Sequence, residues 1–567
     1  MSGQRTEPVP SVADRFLESL VQNEVECIYL NPGTDTAPIL ESIARREEAD
    51  LPSPRLVLCL HEAVALAAAH GHYMVTGRPQ LVIVHVDVGT QNLGAMLHNV
   101  WRMEVGVVIF AGRTPLVSYG ATPGRRDLPV HWQQDVPDQD AIVRPYAKLT
   151  MELRMPELVG QQMDRAFQLA RSAPAGASYV TAVREVLMAP DVAAPEAAPS
   201  SPLAVPTPVA PAPEAVARLV QLIEAAARPL ITTTRVGRDP RAVPLLVALA
   251  ERLAAPVLDR RERLNFPSSH PLYLRDSGRG AVALADADLV IDIDSDVPWV
   301  PSLARPSLEA KVVRIGIDPI RADSPHWSFP AELLIAADPY LALQALTTGL
   351  AESPRRDPWF QDGLAAAAPA SSSSGLIGPE ELFETLGAAL DPEDIVIEEV
   401  TTNAEAMRGF LPRSVPGTHF QSGGSGLGWA TGAAVGAKIA LPERRVVAVL
   451  GDGAFMFNNA SVALWVSTVQ KAPLLVIVVD NGGYAASRRP VTGLYPDGAY
   501  ARSLSSPGTA FGDSPDFAGI ARAGGYSART ATSRSQFAAA VAAARAEVDA
   551  GRGALVVART TSPYFPA

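Results

Sequence analysis

The chain has 567 residues, of which 47% are hydrophobic and 6% aromatic, and its formal net charge at pH 7 is −12. This length allows several domains, because single hydrophobic cores seldom grow beyond roughly 250–300 residues. The acidic balance argues against nucleic acid as a partner. The polar N-terminus lacks the apolar core of a signal peptide, and no segment has the ~18 apolar residues of a spanning helix, so we expect a cytoplasmic protein and no membrane partner.

The first 190 residues alternate short β-rich apolar runs with Ala-rich helical stretches. The runs are CIYL, LVLCL, LVIVHV and GVVIFA, and the longest helical stretch is HEAVALAAAHGHYMVTG. This alternation indicates βαβ units around a parallel sheet, so we predict a first domain over 1–190. The two cysteines, Cys27 and Cys59, lie within these runs, and we interpret them as buried thiols because their spacing fits neither a disulfide nor a metal site.

Two low-complexity segments divide the rest of the chain. The Ala/Pro/Ser-rich segment 191–213 and the Ala/Ser-rich segment 351–376 cannot build a core, and we interpret both as linkers. Strand-like and helical runs again alternate over 214–350 and over 377–567. The sequence therefore predicts an α/β protein with three doubly wound parallel-sheet domains.

Polar residues follow two apolar runs of the third domain. Gly451, Asp452 and Gly453 come directly after VVAVL, and Asp480 and Asn481 come directly after LLVIVV. Ligands of open parallel sheets bind at the carboxyl ends of strands, and carboxylate and amide oxygens suit Mg²⁺. Taken separately, these glycine-rich segments are explained equally well as turns.

Together, the two segments resemble the signature of thiamine diphosphate enzymes, a Gly-Asp-Gly followed by an Asn pair, here after 26 residues. The resemblance implies that Asp452, the side chain of Asn481 and the carbonyl oxygen of Gly483 bind Mg²⁺. Asp480 replaces the first Asn of the usual pair. Since the family ligand is the second Asn, we expect metal binding to be retained.

The resemblance extends to the rest of a cofactor site. Leu427 in SGGSGLGWATG lies where the family places an apolar residue beneath the bent cofactor, and Thr401 and Thr402 lie where it contacts the diphosphate. Packing and helix capping are the alternative roles of these three residues. The residues predicted to bind cofactor are Asn31, Pro32, Gly33, Asn92, Thr401, Thr402, Gly426, Leu427, Gly451, Asp452, Gly453, Ala454, Asn481, Gly483 and Tyr484.

The segment LCLHEAVALAAAHGHYMVTGRP resembles the family segment whose Glu hydrogen-bonds the aminopyrimidine ring and promotes ylid formation. The resemblance therefore assigns Glu62 as a catalytic residue. A favourable charge at a helix N-terminus is the alternative role for an isolated Glu. We interpret His61, His70 and His72, in the same segment, as structural.

The first domain is most similar to benzoylformate decarboxylase and more distantly to acetolactate synthase. YLNPGTDTAPIL matches the loop whose Ser binds the substrate carboxylate, and IVHVDVGTQNLGAMLHNVW matches the segment of a proton-relaying His. Thr34 and His85 occupy these positions, and we predict both to be catalytic. We also place His131 near the site, although Trp132 beside it could simply anchor the loop.

The family resemblance implies pyrimidine-binding, central and diphosphate-binding domains, with thiamine diphosphate and Mg²⁺ as cofactors. It implies a lyase or transferase that decarboxylates a small-molecule 2-oxo acid through an enamine, then releases an aldehyde or ligates a second carbonyl. It also implies a homodimer or homotetramer with the cofactor at the subunit interface. The alternatives are an acetolactate synthase-like carboligase with a flavin and a non-catalytic regulatory homologue; the sequence leaves the particular 2-oxo acid open.

Overall fold

The computed structural model describes residues 10–191, 202–260, 262–274, 277–324, 326–351, 356–360, 369, 375–503, 505–562 and 564. These residues form three sheets, and each sheet contains only parallel pairings between its strands. Helices alternate with the strands, which confirms the predicted class of three doubly wound α/β domains. The predicted linkers 191–213 and 351–376 fall partly outside the described residues, so the domain limits stay predictions.

The first sheet carries the N-terminal part of the candidate site. Its strands are β1 (Cys27–Leu30), β2 (Arg55–Leu58), β3 (Leu81–Val84), β4 (Val107–Arg113), β5 (Ala147–Leu153) and β6 (Ala177–Val183). The helices of this region are α1 (Val12–Gln22), α2 (Ala37–Glu48), α3 (Glu62–Thr76), α4 (Val86–Asn92), α5 (Ala95–Arg102), α6 (Val130–Gln133), α7 (Val159–Arg171) and α8 (Arg184–Leu187). The strand order is β2-β1-β3-β4-β6-β5. Strands β1 and β3 are buried along their whole length, as expected when helices cover both faces of a parallel sheet.

The second sheet forms the centre of the chain. Its strands are β7 (Pro229–Thr233), β8 (Val257–Asp259), β9 (Leu289–Ile293), β10 (Lys311–Gly316) and β11 (Leu333–Ala336). Its helices are α9 (Pro213–Ala225), α10 (Ala242–Leu253), α11 (Ser277–Asp286) and α12 (Pro339–Gly349). The strand order β11-β10-β9-β7-β8 is that of an open, doubly wound sheet.

The third sheet carries the Gly-Asp-Gly segment. Its strands are β12 (Ile395–Glu399), β13 (His419–Gln421), β14 (Val446–Gly451), β15 (Leu475–Asp480), β16 (Ser527–Ala531) and β17 (Ala554–Arg559). The helices of this region are α13 (Pro379–Ala389), α14 (Ala404–Phe410), α15 (Trp429–Ala440), α16 (Asp452–Phe457), α17 (Ala460–Val469), α18 (Ala485–Leu494), α19 (Ala499–Arg502), α20 (Phe517–Ala523) and α21 (Arg534–Asp549). In the order β13-β12-β14-β15-β17-β16, strands β14 and β15 are neighbours.

The chain divides into two compact units, which we call unit 1 and unit 2. Unit 1 contains the first sheet with its helices, together with α15 and α17. Unit 2 contains the second and third sheets. Among the described helices, none combines the length and the apolar character needed to cross a membrane.

Helices α3 and α15 pack closely inside unit 1. A Cβ atom on Gly436 would lie 1.8 Å from the carbonyl oxygen of Ala68, and one on Gly71 would lie 2.0 Å from that of Ala433. Such distances are too short for any side chain, so the two helix backbones touch at these glycines. This contact buries α3 on most sides and fixes the helix whose first residue is Glu62.

Candidate active site

Glu62 is the first residue of α3, and its carboxylate is held by two asparagine amides. Asn31, directly after β1, donates its side-chain N–H to Glu62 Oε1 at 2.8 Å. Asn92, the last residue of α4, donates to Oε2 at 3.1 Å. Glu62 is only 3% exposed, so these two neutral donors fix the carboxylate and leave it lone pairs for a further partner.

Two of the residues predicted to bind cofactor, Asn31 and Asn92, therefore contact the predicted catalytic carboxylate in this structure. The three histidines interpreted as structural, His61, His70 and His72, each contact other groups of the protein. His61 caps α3 by accepting the N–H of Ala63, and His72 lies between Tyr29 and Glu26. The ring of His70 packs against Trp429 within unit 1.

His85 follows β3 and is paired with a carboxylate that the sequence analysis did not single out. His85 Nδ1 hydrogen-bonds Asp35 Oδ1, and Asp35 Oδ2 accepts the backbone N–H of Gly112 at 3.0 Å. Asp35 is 3% exposed. The hydrogen bond to Asp35 raises the pKa of His85 above its ordinary value, while burial acts in the opposite direction. An isolated Asp in NPGTDTAP is typical of a turn or helix start, so no local pattern predicts its pairing with His85.

Thr34 and His131 also lie together in unit 1. Thr34 Oγ1 and His131 Nε2 are 3.4 Å apart, a long hydrogen bond. His131 Nδ1 accepts the backbone N–H groups of Asp127 and Leu128, so the proton of the neutral ring lies on Nε2, where it can be donated to Thr34. Burial lowers the pKa of His131, which favours this neutral form. Trp132, the alternative anchor of the loop, is 51% exposed.

The loop that contains Gly426 and Leu427 is fastened to α5 by Asn99. Asn99 donates its side-chain N–H to the Gly426 carbonyl and accepts the Gly426 N–H, both at 2.8 Å. A Cβ on Gly426 would lie 2.4 Å from the carbonyl oxygen of Ala95, so this approach requires glycine. Leu427 is half-buried beside this fixed backbone. Asn99 is a second residue that sequence reasoning missed.

Asp452 lies at the carboxyl end of β14 in unit 2 and accepts four backbone N–H groups. Oδ1 accepts from Gly453 at 2.7 Å, whereas Oδ2 accepts from Asn481, Gly482 and Gly483 at 2.8–3.2 Å. Asp452 is 2% exposed. Burial, reinforced by the negative charge of Asp480, raises the pKa of Asp452 to about 7. The pairing of β14 with β15 thus brings Asp452 and Asn481 together.

These residues fit the divalent cation that the family resemblance implies. Asp452, the side chain of Asn481 and the carbonyl of Gly483 are all oxygen donors of the kind that Mg²⁺ prefers. Asn481 Oδ1 and the Gly483 carbonyl each accept one backbone N–H, from Gly483 and Ala485 respectively, and each retains a lone pair. Within the described part of unit 2, Asp452 has amide donors but no ion pair. A bound cation would therefore compensate a buried charge.

Asp480, the departure from the usual Asn pair, has partners of its own. Its Oδ2 lies 3.2 Å from Arg559 Nε on the neighbouring strand β17. Its Oδ1 accepts the hydroxyl of Ser514 at 3.0 Å and the N–H of Gly482 at 3.2 Å. The extra negative charge is thus offset by an arginine, and Asp480 is buried with its oxygens occupied.

The remaining predicted residues of unit 2 surround Asp452 or follow β12. A Cβ on Gly453 would lie 2.6 Å from the ring of Tyr484, whereas one on Gly451 would meet open space. Ala454 is buried in α16. Thr401 and Thr402 form a short 3-10 helix after β12, and Arg489 donates to the Thr402 carbonyl at 3.1 Å. Pro32 and Thr34, in unit 1, are exposed and accessible to a ligand.

Models of one protein family match three segments of the chain. Models of the thiamine pyrophosphate enzymes match the chain for the N-terminal TPP binding domain over residues 10–142, the central domain over 216–346 and the C-terminal TPP binding domain over 400–558. The chain belongs to the thiamine pyrophosphate (thiamine diphosphate) enzymes. It is an enzyme of the type that includes benzoylformate decarboxylase and acetolactate synthase.

The relatives of the chain include benzoylformate decarboxylases and acetolactate synthases. The chain is 27% identical over 534 residues to benzoylformate decarboxylase of Pseudomonas aeruginosa, covering 92% of this chain and 93% of that one. It is 26% identical over 503 residues to acetolactate synthase of Mycobacterium leprae, covering 84% of this chain and 76% of that one. The thiamine diphosphate-dependent 4-hydroxybenzoylformate decarboxylase of Rhodococcus jostii RHA1 has the same fold, with a TM-score of 0.81, 23% identity and coverage of 98% and 100%.

Proposed function

We propose that this enzyme uses thiamine diphosphate and Mg²⁺ to decarboxylate a 2-oxo acid to an aldehyde. The observation that carries the proposal is the buried Glu62 carboxylate held by Asn31 and Asn92, in a domain that matches the N-terminal TPP binding domain. The benzoylformate decarboxylase relative, similar over almost its whole length, supports a 2-oxo acid as substrate.

Each half of the proposed cofactor site supplies a different function. Asp452, Asn481 and Gly483 would hold the Mg²⁺ ion, and the threonines after β12 would bind the diphosphate. When bound, thiamine diphosphate supplies the carbanion for attack on the keto carbon and accepts the electrons left when carbon dioxide departs. Glu62 would hydrogen-bond the aminopyrimidine ring and exchange a proton with it, a task for which its fixed carboxylate is suited.

The substrate end of the proposed site lies in unit 1. The Thr34 hydroxyl is exposed and accepts a hydrogen bond from neutral His131, so its own O–H is free to donate to the substrate carboxylate. His85 carries a proton over a wider pH range than an ordinary histidine because of Asp35. His85 is therefore the better proton donor of the two histidines.

We further propose that the enzyme works as a homodimer or homotetramer, in which the domain of Glu62 in one subunit meets the domain of Asp452 in another. The proposal rests on the family resemblance and on the placing of these two residues in separate units.

The test is to incubate purified protein with thiamine diphosphate, Mg²⁺ and a panel of 2-oxo acids, with and without an added aldehyde, and to record carbon dioxide and products. We expect carbon dioxide and a free aldehyde without any acceptor. Release only with an acceptor would make the enzyme a carboligase instead, and a yellow flavin absorbance would favour the acetolactate synthase-like alternative. No release from any acid would overturn the proposal.

A further inference from the structure

We propose that Asp35 is a positioning residue that holds His85 with its proton on Nδ1 and leaves Nε2 to deliver a proton to the reacting carbon. This inference rests on the proposed function and assigns a role to a residue that does not contact the substrate. It is based on the geometry of three neighbouring strand ends in unit 1.

The pair is assembled from the carboxyl ends of β1, β3 and β4, which are consecutive in the first sheet. Asp35 lies in the short 3-10 helix after β1, and His85 follows β3. Both oxygens of Asp35 are used, one by His85 Nδ1 and the other by the Gly112 N–H of β4. The carboxylate is therefore fixed from two sides and can set the orientation of the imidazole ring.

Two glycines provide the space for this pair. A Cβ on Gly33 would lie 1.7 Å from His85 Nδ1, and a Cβ on Gly112 would lie 2.1 Å from Asp35 Oδ2. Any side chain at either position would displace the histidine or the carboxylate. The local sequence is thus compatible with the Asp35–His85 contact only because both positions are glycine.

The groups around His85 favour the protonated ring. The hydrogen bond to Asp35 is the largest influence and raises the pKa of His85, and the charge of Asp87 and a contact with Gln134 act in the same direction. His131 contacts Thr34, the residue before Asp35. The pKa of His131 is lowered because the ring is buried and because Arg184 and Arg126 are positively charged. The neighbouring histidines are therefore held in different states, one as an acid and the other as a neutral donor.

In the proposed step, His85 supplies the proton that replaces the carboxylate of the 2-oxo acid. The bond between the keto carbon and the carboxylate breaks, carbon dioxide leaves, and the electron pair stays on the former keto carbon. That carbon forms a C–H bond with the proton from His85 Nε2, which leaves neutral His85 with its other proton still bonded to Asp35. His85 then regains a proton from water.

Asp35→Asn is the decisive variant because it keeps the shape of the side chain but can reverse the direction of the hydrogen bond with His85 Nδ1. The Asn amide can donate to His85 Nδ1, so the ring would carry its proton on Nε2 and lose the stabilisation of its positive charge. We expect aldehyde formation at neutral pH to fall by about 10-fold or more. We also expect the decline of kcat with rising pH to begin at a lower pH, since His85 then loses its proton earlier.

Histidine NMR provides a readout that is independent of activity. In ¹⁵N-histidine-labelled protein without cofactor, with the His85 signals assigned by comparison with His85→Gln, we expect the neutral ring of the wild type, observed above the pKa of His85, to be the Nδ1–H tautomer. We expect the His85 titration to shift to lower pH in Asp35→Asn. Asp87→Asn is the matched control, because it removes a charge of the same sign from the helix that follows His85; its shift should be the smaller one.

A neutral His85 ring in the Nε2–H tautomer in the wild type, an observation that requires no variant, would overturn the proposal. So would an unchanged His85 titration in Asp35→Asn, or a loss of rate at every pH without movement of the pH profile. Failure of the wild type to release carbon dioxide from any acid would refute the proposed function, whereas the NMR titration would still decide the Asp35–His85 pairing. The two failures are thus distinguishable.

Discussion

At the residue scale, the buried carboxylate of Glu62 is the group whose replacement should affect the chemistry most directly. In Glu62→Gln we expect kcat to fall by about 10²–10⁴-fold, because an amide cannot exchange the proton with the aminopyrimidine ring. Thiamine diphosphate should still bind, since the metal and diphosphate residues are elsewhere. Steady-state kinetics and a calorimetric titration of the cofactor measure the two effects.

Glu48→Gln, an exposed carboxylate at the end of α2, is the control for this change and should behave as the wild type. Turnover of Glu62→Gln equal to that of the wild type would remove Glu62 from the catalytic mechanism. Loss of cofactor binding with loss of folding would instead show that the Asn31 and Asn92 contacts serve stability.

Asp452 provides a second prediction at this scale. Asp452→Asn should lose Mg²⁺-dependent retention of thiamine diphosphate, because the neutral amide supplies no charge to the cation. Titration of the cofactor with and without Mg²⁺ measures this, with the exposed Asp513→Asn as control. If Asp452→Asn retains cofactor as well as the wild type does and with the same Mg²⁺ dependence, the metal site is elsewhere.

The individual residues also indicate which features a single sequence can reveal. Asp452 and Asn481 both follow apolar runs, and ligands of parallel sheets bind at the carboxyl ends of the strands. Their proximity could therefore be predicted on the condition that β14 and β15 are neighbours, which the structure shows. Asp35 was missed because its partner His85 is 50 positions away, and Asn99 because its partner Gly426 is 327 positions away. Neither pair has a local pattern, since each contact forms only when distant elements pack.

At the scale of elements, the contact of α3 with α15 determines where Glu62 lies. Gly436→Val should reduce the free energy of unfolding by about 1–3 kcal/mol or more, since the added carbons meet the Ala68 carbonyl oxygen. The strain should also loosen α3. Thermal unfolding and amide hydrogen exchange over residues 62–76 measure these effects.

Gly409→Val in α14 is the matched control, because a Cβ there meets no atom within 4 Å. It should raise the free energy of unfolding by about a few tenths of a kcal/mol, because Val has a higher helix propensity than Gly. Equal behaviour of the two variants would contradict the close helix contact. Faster exchange in α3 only for Gly436→Val would confirm it.

At the scale of the whole molecule, the three parallel sheets were predictable because each is built from short apolar runs that alternate with helical stretches. The run LVIVHV, for example, became β3 followed by α4, and LLVIVV became β15. The assignment of α15 and α17 to the unit of the first sheet was not predictable, since both helices lie within the sequence of the third domain. Neither the Ala- and Gly-rich sequence of α15 nor the apolar sequence of α17 indicates which sheet the helix packs against.

The proposed assembly of subunits leads to the last prediction, which uses two variants together. Glu62→Gln removes the proposed catalytic carboxylate, and Asp452→Ala removes a proposed metal ligand, so each should be inactive alone. If each site combines the Glu62 domain of one subunit with the Asp452 domain of its partner, a mixed dimer contains one intact site and one doubly altered site. Denaturing and refolding the two variants at a 1:1 ratio should then restore about a quarter of wild-type activity, because half of the dimers are mixed and each has one working site of two. Light scattering should give at least a dimeric mass for every sample. Refolded mixtures without activity, although each variant alone refolds to a dimer, would place both residues of a site in the same chain.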